Sequence, residues 1–194
     1  MRYIKRCNNF PKITEEDVSQ HSFYTTILVM FFGDEYNAYA EKNGLEKVNM
    51  ELALRKAALH DTEESFTSDI PWNMKHITPE VYATYQDAIK VKIDKVYDGS
   101  ITAQSYHKIG MECKDGLEGA IVGVADMMEL SVYLYEEYNK GNKYVEGLLV
   151  KCINLFTLNP MYDILIKASD MFSSMVEMIS GYRDATLTDL LDVE

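Results

Sequence analysis

The sequence predicts an all-α protein, and three observations carry that prediction. Proline is scarce, with 4 in 194 residues. Apolar residues recur at three- and four-residue spacing through most of the chain, and β-branched runs stay short. Helix-start signals alternate with glycine-containing stops. The length suits one well-packed domain rather than two, and a balance of 47% hydrophobic and 26% charged residues is that of an ordinary globular chain.

Taken in order, Thr14-Glu15-Glu16-Asp17 reads as an N-cap followed by acidic first-turn residues, where the positive helix end favours them. Val18, His21, Thr25, Leu28 and Phe32 then mark one face of a helix running to about Lys42, and Asn43-Gly44 stops it. Asn49 caps the next helix, in which Leu52, Leu54, Ala57, Ala58 and Leu59 lead to His60. Residues 65–77 read as a loop containing Pro71, Trp72 and Asn73. Thr78-Pro79-Glu80 restarts a helix, with Pro at its first position, and Asp98-Gly99 ends it near Tyr97. A shorter helix covers about 102–113. After the turn Lys114-Asp115-Gly116, the spacing of Leu117, Ala120, Ile121, Val124, Met128 and Val132 marks the most apolar helix of the chain, broken at Gly141-Asn142. A helix over about 144–155 follows. Asn159-Pro160 opens a last long one, ending near Gly181, and residues 184–194 form an acidic tail. Nothing in between reads as a linker, so residues 1–183 are expected to form the domain.

Composition narrows the function. The three cysteines, Cys7, Cys113 and Cys152, are widely spaced and odd in number, which writes neither a disulfide framework nor a CxxC metal site. The first residues carry no apolar signal region, and no apolar run approaches the ~18 residues of a membrane helix, so the expectation is a cytoplasmic protein with no membrane partner. A net charge of −12 argues against a nucleic-acid polymer. A small anionic substrate remains compatible, because a metal ion with two or three local cations can bind one phosphate inside an acidic protein.

The stretch that concentrates chemistry runs from Ala57 to Pro71. His60 and Asp61 are neighbours, about 100° apart on a helix, so they share no face but can converge on a point beside it. Glu64 follows His60 by four residues, on the same edge one turn on. His21 lies on an otherwise apolar helix face. Asp126 is a carboxylate in the most apolar helix, where an unpaired charge would cost several kcal/mol. Plainer readings exist for each: a polar helix end for His60-Asp61, a satisfied core histidine for His21, and a polar edge shared with Glu118 and Glu129 for Asp126. Together, His21, His60, Asp61 and Asp126 offer two imidazoles and two carboxylates from three helices. That mixed nitrogen and oxygen set leaves positions open for water and substrate, and it suits Mn, Co, Fe or Zn better than Ca. His76 and His107 have no patterned partner and read as surface residues. The wealth of tyrosine and methionine reads as core and as the interface of a homo-oligomer, a dimer or higher.

The order His21, His60-Asp61, Asp126 on successive helices resembles the HD-domain metal-dependent phosphohydrolases, and within them the YfbR-like 5′-deoxynucleotidase group. The matching pieces are Ile4-Lys5-Arg6, Asp17-Val18-Ser19-Gln20-His21-Ser22, and His60-Asp61 with Glu64, Thr67, Asp69, Ile70, Pro71 and Lys75 at their spacings. Val124-Ala125-Asp126, Tyr135-Glu136-Glu137 and Gly141-Asn142 extend the likeness to about residue 145. The resemblance implies a compact single-domain helical bundle. Its metal ligands would be His21, His60, Asp61 and Asp126, holding a divalent ion such as Co, Mn, Zn or Fe. It implies Glu64 beside the metal as the group that protonates the leaving sugar oxygen or steers the attacking water, Arg6 on the phosphate, Asp69 near the sugar, and Lys75 near the phosphate mouth. The implied reaction removes phosphate from deoxynucleoside 5′-monophosphates. Phage-encoded relatives in the same superfamily release triphosphate from dATP, and the motif is common to both reactions. This chain departs from the group at Cys7, where a tryptophan is usual; Trp72 offers a replacement stacking surface. A helical binding protein that kept the fold without catalysis is the alternative from another class.

Overall fold

The computed structural model describes residues 1–8, 10–69 and 79–191, so Trp72, Lys75 and His76 lie outside the described residues. The chain is all-α as expected. Among the described residues the only β-pairing is an isolated antiparallel bridge between Lys5 and Asp17.

Helix α1 (Val18–Asn43) starts at a capping box. Asp17 accepts from the Gln20 N–H at 2.9 Å while the Gln20 side chain accepts from the Asp17 N–H at 3.0 Å. The expected cap at Thr14 is therefore corrected by three residues. Glu16 has no first-turn role; it is buried at the side of the chain's N-terminal arm. Gly44 closes α1 at φ 66°, a conformation glycine reaches without a Cβ clash. The predicted face of Val18, His21, Thr25, Leu28 and Phe32 is buried throughout.

Helix α2 (Met50–Leu59) is capped by Asn49, whose side chain accepts from the Leu52 N–H. It ends at Leu59, so His60, Asp61 and Glu64 do not share one continuous helix. Glu64 instead opens a separate single turn, α3 (Glu64–Thr67), which runs into the stretch expected as loop from residue 65. Helices α4 (Pro79–Val96) and α5 (Ile101–Met111) follow the predicted bounds closely. Helix α6 (Gly116–Asn139) is the apolar helix of the sequence, with Ile121, Val122, Val124, Ala125, Met128 and Leu134 fully buried.

A 3-10 turn (Lys143–Val145) leads into α7 (Glu146–Phe156). The expected single terminal helix is two, α8 (Tyr162–Ala168) and α9 (Asp170–Leu191). The break falls at Ser169, which is extended at φ −129°, ψ 110°, and caps α9 by accepting from the Phe172 N–H at 2.9 Å. Helix α9 also passes the expected stop near Gly181 and continues to Leu191.

Helix α1 packs against both α2 and α6, α2 also packs on α5 and α6, and α6 carries α7 on another side. An aromatic cluster of Phe32, Phe156, Tyr162 and Phe172, with ring centroids 5.2–5.8 Å apart, ties α1, α7, α8 and α9 together. The N-terminal arm is held on α6 by buried polar contacts. Glu137, fully buried, accepts from the Ile13 and Thr14 N–H groups at 2.7 Å each, and Asn142 donates to Glu137 and to the Pro11 carbonyl. Glu137 and Asn142 thus fix the arm that carries Arg6. Among the described residues, no helix is long and apolar enough to cross a membrane.

Candidate metal centre

Three mutually packed helices bring acceptor atoms of His21, His60 and Asp126 within 4.8 Å of one another, and Asp61 reaches the two histidines beside them. His21 comes from the second turn of α1, His60 from the residue that closes α2, Asp61 from the next position, and Asp126 from the middle of α6. The two imidazole Nε2 atoms lie 3.1 Å apart. Asp126 Oδ1 is 3.1 Å from His21 Nε2 and 3.8 Å from His60 Nε2. Asp61 Oδ2 is 3.5 Å and 3.2 Å from the same two nitrogens. The structure therefore brings together all four residues singled out as ligands. The convergence of His60 and Asp61 arises at a helix end, where the backbone is already leaving α2.

The outer nitrogens decide what this cluster can hold. His60 Nδ1 lies 2.7 Å from the Ala57 carbonyl, which only accepts, so Nδ1 carries the proton and Nε2 presents a lone pair. His21 Nδ1 meets the Glu129 carboxylate in the same sense. Two imidazole lone pairs and two carboxylate oxygens then face each other with no donor among them. That arrangement is repulsive alone and becomes favourable around a cation, so the residues fit a divalent metal.

Electrostatics of the cluster agree. Burial and the Arg6 charge push His21 down, yet hydrogen bonding to Asp126 and Glu129 outweighs both and raises it to about 9, so the cluster favours positive charge at this imidazole. Burial would raise Asp61, but the His60 and His21 imidazoles hold it well below the usual carboxylate range. Burial likewise acts upward on Asp126, and Lys114 with the two histidines holds it well below. All three cysteines sit high, pushed up to about 11 at Cys7 and Cys113 and to about 12 at Cys152 by burial, so none is a ready thiolate.

An outer layer supports the candidate ligands, and sequence reasoning missed most of it. Glu129, expected on a polar edge, is buried and takes both His21 Nδ1 and Arg6 Nη1, the latter at 3.2 Å. Arg6 Nη1 also donates to Glu16 at 2.9 Å. Burial and the neighbouring Glu129 raise Glu16 to about 7. Arg6 is itself buried beside the histidine rather than open to solvent. Lys114 Nζ lies 2.5 Å from Asp126 Oδ2. Glu129 had a signal, a second carboxylate three residues after Asp126 in an apolar helix; Lys114 had none.

Glu64 is buried, and its N–H donates to the Asp61 carbonyl at 3.1 Å, which keeps it within one turn of Asp61. Asp69 accepts from the Cys7 N–H at 2.7 Å. That bond joins the arm to the segment after α3 at two strained points, since Cys7 at φ 56° and Ser68 at φ 64° are both left-handed without being glycine. His107, expected at the surface, is partly buried against Tyr97, with ring centroids 6.0 Å apart. It lines a cavity of about 250 Å³ with Leu59, Thr62, Glu63 and Phe66, on the same short segment that carries His60 and Asp61.

Comparison with known proteins adds to this geometry. A family profile described as 5′-deoxynucleotidase YfbR-like matches residues 1–151. No curated protein matches the chain. Among solved structures, an HD-domain phosphohydrolase from Listeria innocua superposes with a TM-score of 0.72 at 24% identity, covering 94% of this chain and 90% of that one. A protein from Pyrococcus horikoshii gives a TM-score of 0.62 at 19% identity, and a conserved hypothetical protein from Pyrococcus furiosus gives 0.60 at 20% identity. Both of these cover 84% of each chain. At these identities the solved structures speak to the fold.

Proposed function

The chain belongs to the YfbR-like 5′-deoxynucleotidase family, and from that premise we propose that it removes the phosphate of deoxynucleoside 5′-monophosphates. At the coarser level it is a metal-dependent phosphohydrolase, an enzyme acting on phosphate esters. The observation that carries the proposal is the approach of the Asp61 and Asp126 oxygens to the paired His21 and His60 Nε2 atoms, each contact between 3.1 and 3.8 Å, with buried Glu64 one turn from Asp61.

Bound there, a divalent cation supplies Lewis acidity at the phosphoryl group and lowers the pKa of a water molecule. His21 and His60 would hold it through Nε2, each oriented by its Nδ1–H bond, and Asp61 and Asp126 would each give one oxygen. The mixed ligand set favours Mn, Co, Fe or Zn. In the hydrolysis, a water oxygen bonds to phosphorus as the bond from phosphorus to the 5′-oxygen breaks. Glu64 is the group proposed to give the leaving oxygen its proton, or to steer the water. Arg6, with Nη1 committed to Glu16 and Glu129, would offer the phosphate its other N–H groups. Asp69, tied to the Cys7 backbone, is assigned to the sugar. Lys75 at the phosphate mouth and Trp72 as a stacking surface complete the proposal. A cytoplasmic, homo-oligomeric enzyme fits the same reading, and the exposed Phe23, Met30 and Phe31 on α1 support self-association.

The test is a panel of mono-, di- and triphosphate nucleotides, ribo and deoxy, assayed with Mn and Co after chelator stripping. Ion chromatography of products should show phosphate released from deoxynucleoside monophosphates. Triphosphate released from a dNTP, with monophosphates untouched, would replace the proposal by the triphosphohydrolase reaction. No turnover of any nucleotide would overturn it.

A further inference from the structure

We infer that Lys114 is the cation that receives the substrate phosphate at the mouth of the metal centre, a role that rests on the phosphohydrolase reading above. The open side of the centre identifies it. The two imidazoles are sealed, with 0% and 1% side-chain exposure, whereas Asp61 keeps 17%, Asp126 25% and Lys114 45%. An anion approaching from solvent therefore arrives on the side of Asp61, Asp126 and Lys114. Asp126 divides its two oxygens between the two cations: Oδ1 faces His21 and His60, and Oδ2 takes Lys114 Nζ at 2.5 Å. Nζ is thereby held one carboxylate width from the metal position, within reach of a phosphate oxygen bound there.

Charge balance requires such a group. A divalent ion held by the Asp61 and Asp126 carboxylates is neutralised by them, so it leaves little net charge for a phosphate dianion. Arg6 does not fill the gap alone, because it is buried with two carboxylates on one nitrogen, Glu16 at 2.9 Å and Glu129 at 3.2 Å. Among the described residues Lys114 pairs with one carboxylate, its side chain is 45% exposed, and its three protons serve more than one acceptor.

The path of Lys114 to this place is built into α6. A Cβ on Gly119 would lie 2.2 Å from the Lys114 carbonyl carbon and 2.4 Å from its oxygen, so the turn lies directly on the helix only because residue 119 is glycine. A Cβ on Gly123 would lie 4.0 Å from Lys114 Cδ, so the lysine stem runs along the same edge. Gly119, Gly123 and Asp126 follow at helical spacing, and the edge they form guides the side chain from the turn to the carboxylate.

The test measures binding of inorganic phosphate to the Mn-loaded protein by isothermal titration calorimetry, together with Mn affinity and KM for deoxynucleoside monophosphates. Lys114→Met should weaken phosphate about 10–100-fold, the usual worth of a hydrogen bond to a charged group, and raise KM in parallel with a smaller change in kcat. Mn affinity should hold or tighten, because a positive neighbour of the ion is removed. Lys114→Arg should restore phosphate binding to within about threefold, since the charge and a donor return. Lys108→Met, 73% exposed beside Glu112, is the charge-matched control and should change nothing. Unchanged phosphate affinity in Lys114→Met would overturn the inference. So would a tenfold or greater loss of Mn affinity, which would make Lys114 a positioning residue for Asp126. If phosphate binding depends on Lys114 while no deoxynucleotide is hydrolysed, the substrate reading fails and the phosphate site stands.

Discussion

Replacing Glu129 by glutamine tests the centre through a residue that is not expected to touch the metal. Glu129→Gln keeps the shape and one acceptor oxygen but removes the charge that holds the His21 Nδ1 proton and answers Arg6 at 3.2 Å. With a neutral partner, His21 is a weaker base at Nε2 and its orientation is less strongly fixed. Outer-layer partners of metal-binding histidines are worth about 10–100-fold in metal affinity, or about 1.4–2.7 kcal/mol at 1.36 kcal/mol per decade. A metal that binds only the folded state stabilises it by mass action, and a chain of this length shifts by roughly 2–4 °C per kcal/mol. The Mn-induced rise in Tm should therefore shrink by about 3–11 °C at a fixed Mn concentration. The assay is thermal unfolding across a Mn titration, and the quantity compared is the metal-induced rise rather than absolute Tm. Arg6 also loses a charged partner, which lowers the metal-free baseline. Glu136→Gln, exposed and paired only with Lys140 among the described contacts, is the control. A metal-induced rise equal to that of the wild type would refute the reasoning and leave Glu129 as a partner of Arg6 alone.

Three further outcomes follow from the same geometry. Glu64→Gln should keep fold and metal yet lose turnover by about 10²–10⁴, and it should recover much of its relative activity on p-nitrophenyl phosphate, whose phenolate leaves unaided; equal losses on both esters would assign Glu64 to the water. Asp126→Ala should abolish metal retention measured by elemental analysis, and retention at the wild-type level would remove Asp126 from the ligand set. The metal-free stability should fall with pH while the metal-induced stabilisation grows. His21 is raised from 6.5 to about 9 in the folded protein, so its contribution to metal-free stability is full below 6.5 and is lost as pH rises through 9. Glu16, raised from 4.5 to about 7, adds a loss in the same direction between those values. Metal takes the deprotonated His21, so metal affinity should climb by up to about tenfold per pH unit over 6.5–9, and a flat metal-induced rise in Tm across that window would contradict the assignment.

Much of the fold was legible in the sequence because its determinants are local. The Asn49 cap, the Gly44 stop and the period of Val18, His21, Thr25, Leu28 and Phe32 each depend on neighbours within about a turn, and the structure reproduces them. The misplacements were competitions between local signals. Thr14 lost the cap to Asp17 because the residues before Asp17 are held by the arm, through the Arg6 N–H to Glu16 carbonyl bond at 3.0 Å and the Thr14 N–H to Glu137 bond. Ser169 broke a helix that propensity alone would have continued.

What the chain determined by itself was the inventory: helices, their apolar faces, and the four residues His21, His60, Asp61 and Asp126 that need a cation or a partner once buried. Which groups would answer them was decided only in three dimensions. Glu129 meets His21 across 108 positions and Arg6 across 123, and periodicity tells which face of a helix is buried but not which helix covers it. Lys114 reaches Asp126 because Gly119 lets a turn lie flat on α6, a contact set by close approach of backbone rather than by any pattern of side chains. Arg6, legible as a phosphate ligand by resemblance, became a buried partner of two carboxylates when α1, α6 and the arm packed together, because a guanidinium removed from water needs opposite charge close by.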